Sequence, residues 1–218
     1  FVFTLALIVF IRIDFVVKAS ITSDKIMELI KDGFFYIKNN KIMLHLIFLH
    51  SCVGLTSFDA LITILAKNEY KYIISVPLAI GLSNAVRAVA LMIGPSTISK
   101  YVTKENLHFL MIFQGITIIF WGLTQSNFYI SLVSLFFVGL STTTLWSFTY
   151  ALIQNKCDEK YIGRVISYND MIFMLSCVLT TLFIGLMASL TSTDIITILL
   201  GVGFLAFAFY YKRILKWI

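Results

Sequence analysis

Long apolar runs separated by short charged clusters constrain this chain more than any other feature of its sequence. Hydrophobic residues make up 59% of the 218 residues and charged residues only 13%, whereas roughly a quarter of a soluble domain is charged. A membrane-spanning helix needs roughly 20 mostly apolar residues, because lipid offers no partners to backbone N–H and C=O groups. The sequence therefore predicts an all-α membrane protein.

The apolar runs predict one partial span at residues 1–17 and six fuller spans after it. The six spans are residues 42–66, 72–93, 107–124, 128–153, 165–189 and 195–211. They divide into two sets of three that run in opposite directions, as in the nested repeats of many transporters. We therefore expect a six-helix domain in residues 42–218, joined to the partial span by a polar connector at residues 18–41.

The connector has the pattern of an amphipathic helix over residues 21–40. Apolar side chains such as Ile26, Ile30 and Phe34 recur at helical spacing, and charged residues occupy the other side. Such a helix can lie on the membrane surface. A soluble connector helix explains the same pattern, so both interpretations stay open.

The basic residues in the short loops indicate the orientation of the spans. Lys67 and Lys71 fall on one side of the membrane. The other side holds Lys18, Lys25, Lys31, Lys38, Lys41, Lys100, Lys104, Lys156, Lys160, Arg164, Lys212, Arg213 and Lys216. Lys and Arg in short loops favour the cytoplasmic side. The connector and the C-terminus are therefore predicted to be cytoplasmic, in a multi-pass protein of the plasma (inner) membrane.

No pattern in the sequence predicts a cofactor or a metal site. The three cysteines, Cys52, Cys157 and Cys177, form no CxxC pair and have no histidine at metal-ligand spacing. The triplet at residues 139–141 resembles a short nucleophile motif, but it lacks the closing glycine of GxSxG, and all three histidines precede Ser141. We therefore do not expect an enzyme.

Polar residues in the first full span suggest a candidate site. On one continuous helix, a single stripe would hold His45, Cys52, Thr56, Asp59 and Thr63. Asp59 matters most, because an ionisable carboxyl inside a membrane is costly and usually faces a bundle interior or an aqueous cavity. Asp59 is thus a candidate ion or cation site. Alternatively it reaches water at the interface.

The second full span contains an arginine far from either end. Arg87 shares a helix face with Asn84, and the rise per residue puts it at the depth of His50 and Asp170. An ion pair between Arg87 and Asp170 is the first interpretation; a gating or substrate role and snorkelling are the others. Pro77 in the same span permits a kink.

The fourth full span carries hydroxyl and aromatic residues on one face. Thr143 and Tyr150 belong to this face, and Trp146 flanks it. Small and hydroxyl residues often serve close helix packing. The other interpretation is a cavity lining, in which Trp146 and Tyr150 form aromatic walls for a bulky or cationic ligand.

Three segments resemble one transporter family. Residues 28–41, ELIKDGFFYIKNNK, resemble the cytoplasmic central loop of major facilitator superfamily exporters of the macrolide-efflux and enterobactin-exporter type. Gln154 and the later GRVIS of residues 163–167 resemble the loop between helices ten and eleven of that group. A third segment, Gly94-Pro95 with Lys100 and Lys104, is similar to the degenerate loop signature between helices eight and nine, without its acidic and arginine residues.

The resemblance implies that the chain is the C-terminal half of a twelve-helix transporter, with the end of helix six at residues 1–17 and a missing N-terminal half as its partner. In that fold, helices seven and ten line the central cavity, eight and eleven contact the other half, and nine and twelve face lipid. The expected substrate- or ion-binding residues are Asp59, Thr56, His50, Asn84, Arg87, Thr143, Trp146, Tyr150 and Asp170.

The hypothesis at this stage is a secondary active transporter that works by alternating access. It is expected to export a drug-like or amphipathic small molecule, driven by an ion or proton gradient. An uptake permease for a small nutrient or anion, with Arg87 as the binding charge, is the alternative within transport. A non-transporting membrane scaffold or a gene remnant is the alternative outside it.

Overall fold

The computed structural model of the chain describes residues 23–217, so the predicted partial span at residues 1–17 lies outside the described part. Eight α-helices and three short 3-10 turns make up this part, and it contains no strand. The helices are α1 (Ser23–Asn39), α2 (Lys41–Ser51), α3 (Asp59–Asn68), α4 (Val76–Ile98), α5 (Leu107–Thr124), α6 (Phe128–Lys156), α7 (Ile162–Met187) and α8 (Thr193–Ile214).

Asparagine caps explain where two of the helices begin. The side chain of Asn40 accepts hydrogen bonds from the backbone N–H groups of Ile42 and Met43, at 3.1 and 3.2 Å. Asn127 accepts equivalent bonds at the start of α6. Each cap satisfies donors that have no partner within the first turn. Asn40 therefore separates the connector helix α1 from the first span.

Six helical segments in the described part of the chain are long and apolar enough to span a membrane, as expected of a multi-pass membrane protein. They match the six predicted spans and differ from them in the residues at which each segment begins and ends. The first span, Lys41–Asn68, is not one continuous helix. It consists of α2, a 3-10 turn at Cys52–Thr56 and α3, so the single polar stripe expected on this span is interrupted.

The kink that Pro77 would permit inside a helix does not apply to α4. Pro77 lies in the first turn of α4, where its missing N–H would have no intrahelical acceptor. The backbone irregularity lies in the first span instead, around Gly54. A Cβ atom on Gly54 would come within 2.7 Å of the Ser176 Cβ and 3.0 Å of the Cys177 nitrogen on α7. Close packing against α7 therefore accompanies the interruption.

The six spans form two sets of three: the α2–α3 span, α4 and α5, and then α6, α7 and α8. Equivalent members of the two sets make equivalent contacts. The first span of one set packs against the second helix of the other: α6 against α4, and the α2–α3 span against α7. The third helices, α5 and α8, form the most extensive contact of all. This is the packing that two equivalent three-helix units related by a two-fold rotation would give.

Glycines allow the closest helix contacts. A Cβ atom on Gly139 of α6 would lie 2.9 Å from the Arg87 carbonyl oxygen of α4. A Cβ atom on Gly201 of α8 would lie 2.8 Å from the Gly115 carbonyl oxygen of α5. Small residues at such crossings let two backbones approach each other, which is how helices in lipid gain packing energy.

The helices α4 and α7 bury the smallest share of their residues among the six spans. Exposed apolar side chains on them include Met92 on α4, and Met174 and Leu182 on α7. Both helices are the second members of their sets. The two least buried spans therefore occupy equivalent positions in the two sets.

Candidate functional site

The interruption of the first span is held by Arg87 from α4. The Arg87 Nη2 donates a 2.8 Å hydrogen bond to the carbonyl oxygen of Thr56, which also accepts from the Phe58 N–H at 2.8 Å. The Arg87 guanidinium carbon lies 5.5 Å from the centroid of the Phe58 ring. Arg87 thus supplies a donor and a cation–π contact where the helix leaves a carbonyl without its usual partner.

The predicted ion pair between Arg87 and Asp170 is wrong. Within the described residues, no carboxylate lies within 4.0 Å of the Arg87 guanidinium, and Asp59 is the carboxylate close enough to interact with it electrostatically. Asp170 accepts a 3.3 Å hydrogen bond from its neighbour Asn169. Equal depth is a poor guide because it does not say which way a side chain points around its helix: Arg87 points to the Thr56 carbonyl of the interrupted span.

Asp59 begins α3 and is exposed. Its backbone carbonyl accepts a 2.7 Å hydrogen bond from the Thr63 hydroxyl. A carboxylate in the first turn interacts favourably with the helix dipole. The side chain of Thr56 is buried and donates a 2.8 Å hydrogen bond to the Val53 carbonyl. Thr56 therefore contributes its backbone oxygen, rather than its hydroxyl, to the Arg87 contact.

A second group of candidate residues surrounds His50, whose side chain is fully buried. The His50 Nδ1 lies 2.8 Å from the Thr149 hydroxyl oxygen of α6. The imidazole centroid lies 5.8 Å from the Trp146 ring, 5.6 Å from the Tyr150 ring and 5.6 Å from the Phe173 ring of α7. The Trp146 and Tyr150 rings are stacked at 4.9 Å. Three spans thus meet around one imidazole.

Three predicted site residues, His50, Trp146 and Tyr150, are therefore brought together. Thr143 and Asn84 are half-buried. Neither belongs to the groups around His50 and Arg87 through a side-chain hydrogen bond in the described part of the chain.

Two members of the His50 group, Thr149 and Phe173, were not predicted from the sequence. Thr149 follows Trp146 by three positions, and Phe173 follows Asp170 by three, so both pairs share a helix face. Helical spacing from Trp146 would have found Thr149, which is polar. Phe173 was missed because a phenylalanine in an apolar helix is indistinguishable from a lipid-facing residue until its neighbours are known.

Ser141 is buried at the contact between α5 and α6, and its hydroxyl donates to the Gln114 side-chain oxygen. The Thr142 hydroxyl lies 3.4 Å from the same oxygen. Gln114, the most polar residue of α5, is fully buried. These hydroxyls therefore tie α5 to α6, as expected of polar residues that join helices in lipid.

An apolar cavity of about 520 Å³ lies between the interrupted span, α7 and α8. Phe48, Leu55, Phe183 and Phe207 are among the residues that line it. None of the predicted site residues does. The cavity is thus separate from the groups around His50 and Arg87.

The two segments that carry the family resemblance most strongly touch each other. The backbone N–H of Asp158 donates a 3.1 Å hydrogen bond to the Tyr36 hydroxyl of α1, and the Tyr36 ring stacks on Tyr161 at 4.3 Å. Burial raises the pKa of the Tyr36 phenol. Asp32 lies 3.8 Å from the Arg164 guanidinium. The connector helix is therefore docked on the start of α7 through one of its faces.

The apolar side of α1 is only partly covered by this docking. Gly33 and Ile37 are buried, whereas Met27, Ile30 and Phe34 remain exposed. α1 therefore contacts the bundle and leaves part of its apolar side exposed, and both interpretations of the connector remain predictions.

Comparison with known proteins leaves the family open. No protein-family model, no curated protein and no solved structure matches this chain.

Proposed function

We propose that this protein is a secondary active transporter of the major facilitator type, which exports a drug-like or amphipathic small molecule by alternating access. The main support is the group around His50. It joins the first span of one three-helix set, through α2, to the first span of the other, α6. Inverted-repeat transporters place substrate sites where their repeats meet, near mid-membrane.

The interrupted span supports the same proposal. Discontinuous helices are tolerated inside membranes where protein groups or cavities satisfy the freed backbone. Here the Arg87 guanidinium contacts the freed Thr56 carbonyl, with Asp59 one turn away at the start of α3. In the proposed cycle, this region changes its contacts as the bundle rocks. Asp59 is the proposed site of a coupling cation or proton.

The exposed faces of α4 and α7 favour a partner bundle. In the proposed transporter, these two helices contact an N-terminal six-helix half, and the cavity forms between the halves. Trp146 and Tyr150 are both partly exposed, so they are available to line that cavity. The loop charges favour a plasma-membrane protein with its connector and C-terminus in the cytoplasm.

Transport into vesicles tests the proposal. The complete gene product is reconstituted in proteoliposomes, a proton or sodium gradient is imposed, and the movement of fluorescent amphipathic compounds is followed. We expect gradient-dependent transport that Tyr150→Leu reduces by about tenfold or more, as expected when a binding contact is lost. Tyr129→Leu is the matched control, since Tyr129 is an exposed residue at the start of α6.

Two results would contradict the proposal: no gradient-dependent movement of any compound by the wild-type protein, or equal loss in both variants. Uptake of a small anion, abolished by Arg87→Gln, would instead support the permease alternative. Arg87 favours that alternative because its Nε has no hydrogen-bond partner among the described residues.

A further inference from the structure

The hydrogen bonds of Thr149 favour one tautomer of His50. The Thr149 hydroxyl lies 2.8 Å from the Leu145 carbonyl oxygen and 3.1 Å from the Trp146 carbonyl oxygen. Both carbonyls can only accept, and a hydroxyl proton donated to either of them leaves the Thr149 oxygen to accept a hydrogen bond. The His50 Nδ1, 2.8 Å away, is placed to donate it. This arrangement favours a neutral His50 protonated on Nδ1.

The other nitrogen, Nε2, is left as a hydrogen-bond acceptor. It is buried and has no hydrogen-bond partner within the described part of the chain. A buried acceptor without a donor is costly, and such atoms usually belong to a site for a ligand or water. An N–H or O–H group is needed to complete the hydrogen bonds of His50.

The surroundings of the imidazole restrict what could bring that donor. Trp146, Tyr150 and Phe173 all lie against the ring. Trp146 is 36% exposed and Tyr150 is half-buried, whereas His50 is 0% exposed, so both aromatic residues are more accessible than the imidazole that they contact. Their stacked rings offer aromatic surface to a flat apolar molecule.

We propose that the His50 Nε2 is the polar anchor for the transported compound, which is an aromatic molecule carrying an N–H or O–H donor. The compound stacks on Trp146 or Tyr150 and donates to Nε2 after one of these rings moves aside. This assignment rests on the proposed function and gives its substrate class. Thr149 acts as a positioning residue, because it holds the tautomer that leaves Nε2 free to accept.

Nitrogen-15 NMR of the complete protein in detergent micelles, with labelled histidine, tests the tautomer. The chain has three histidines, and the His50 signals are identified by their absence from the His50→Phe variant. At mildly alkaline pH we expect a protonated Nδ1 and an unprotonated Nε2. Thr149→Val should mix the two tautomers, and Thr149→Ser should restore the wild-type signals. A protonated Nε2 in the wild-type protein would overturn the inference.

Binding of a matched probe pair tests the anchor. 2-Naphthol carries an O–H donor, whereas 2-methoxynaphthalene has the same rings and no donor. We expect 2-naphthol to bind about tenfold more tightly, as for one hydrogen bond to a buried acceptor, and to shift the Nε2 resonance. In His50→Phe the two probes should bind equally, because the aromatic surface is kept and the acceptor is lost.

Three outcomes would refute the anchor: no binding of 2-naphthol, equal affinities of the two probes in the wild-type protein, or a preference that survives in His50→Phe. The binding measurement needs no gradient and no transport. Failure of the proposed function would therefore appear as selective binding without movement of any compound, whereas failure of this inference would appear as transport without the preference for a donor.

Discussion

The contact between α5 and α8 depends on the absence of a side chain at Gly201. A Cβ atom there would come within 2.6 Å of the Ile119 Cγ1, 2.8 Å of the Gly115 carbonyl oxygen and 3.0 Å of the Ile119 nitrogen. Two of these three atoms belong to the backbone, so a rotamer change cannot remove the clash. Gly201→Ala must therefore push the two helices apart.

The magnitude follows from comparison with Gly203, two residues along the same helix. A Cβ atom on Gly203 would meet only the Leu55 Cδ1, at 3.1 Å, the end of a flexible side chain. Both alanine substitutions gain about 1 kcal/mol of helix propensity, and this gain cancels in their difference. Overpacking a tight contact costs about 1–3 kcal/mol. Gly201→Ala should therefore be less stable than Gly203→Ala by about 1–3 kcal/mol.

Denaturant unfolding in detergent micelles, followed by circular dichroism, measures this difference. We expect a lower free energy of unfolding for Gly201→Ala and a wild-type or higher value for Gly203→Ala. Equal free energies of unfolding for the two variants would refute the packing of α8 against α5 at this position. Gly185→Ala is a further reference, because a Cβ atom on Gly185 would have no neighbour within 4 Å.

Two further predictions concern the docking of α1 and the interruption of the first span. Tyr36→Phe keeps the stacked ring but removes the acceptor of the Asp158 N–H, so that amide should exchange faster by roughly 2- to 10-fold, the effect of about 0.5–1.5 kcal/mol. Unchanged exchange in Tyr36→Phe would contradict the contact. Because burial raises the folded-state pKa of Tyr36, the contribution of its protonated phenol to the free energy of unfolding should be complete below about pH 10. This contribution should be lost as the pH rises through the raised pKa. Arg87→Met should lower the free energy of unfolding by about 1–3 kcal/mol, because the Thr56 carbonyl loses a donor, whereas Arg213→Met, at an exposed arginine, should change it little; similar losses in both would argue against this role.

The spans could be predicted from the sequence because their causes are local. An apolar run long enough to cross a membrane must form a helix, since its backbone finds no other partners in lipid. The amphipathic pattern of residues 21–40 likewise predicted the helix found at Ser23–Asn39. Such elements depend on residues only a few positions apart.

The interruption at Cys52–Thr56 could not be predicted in this way. No proline marks it, and Gly54 alone is a weak signal in a membrane helix. Its neighbours come from far along the chain: Ser176 and Cys177 of α7 pack against Gly54, and Arg87 of α4 binds the Thr56 carbonyl. The break is therefore accompanied by contacts with two other spans, and the local sequence alone does not predict it.

The candidate site also has features that follow from the local sequence and features that depend on distant residues. Helical rise predicted the depths of His50, Arg87 and Asp170, but depth does not say which way a side chain points around its helix axis or which helix faces it. Arg87 on α4 binds the Thr56 carbonyl and not Asp170 on α7, and the packing of α2 on α6 brings His50 to Trp146 and Tyr150.

The sequence by itself determined that the described chain consists of helices suited to a membrane, where each span runs and which side carries the loop charges, because each of these follows from the composition of consecutive residues. Only the tertiary structure decided which helices pair, where the first span breaks and which polar groups meet. Those outcomes depend on glycine contacts and hydrogen bonds between residues about a hundred or more positions apart, such as His50 with Thr149 and Tyr36 with Asp158.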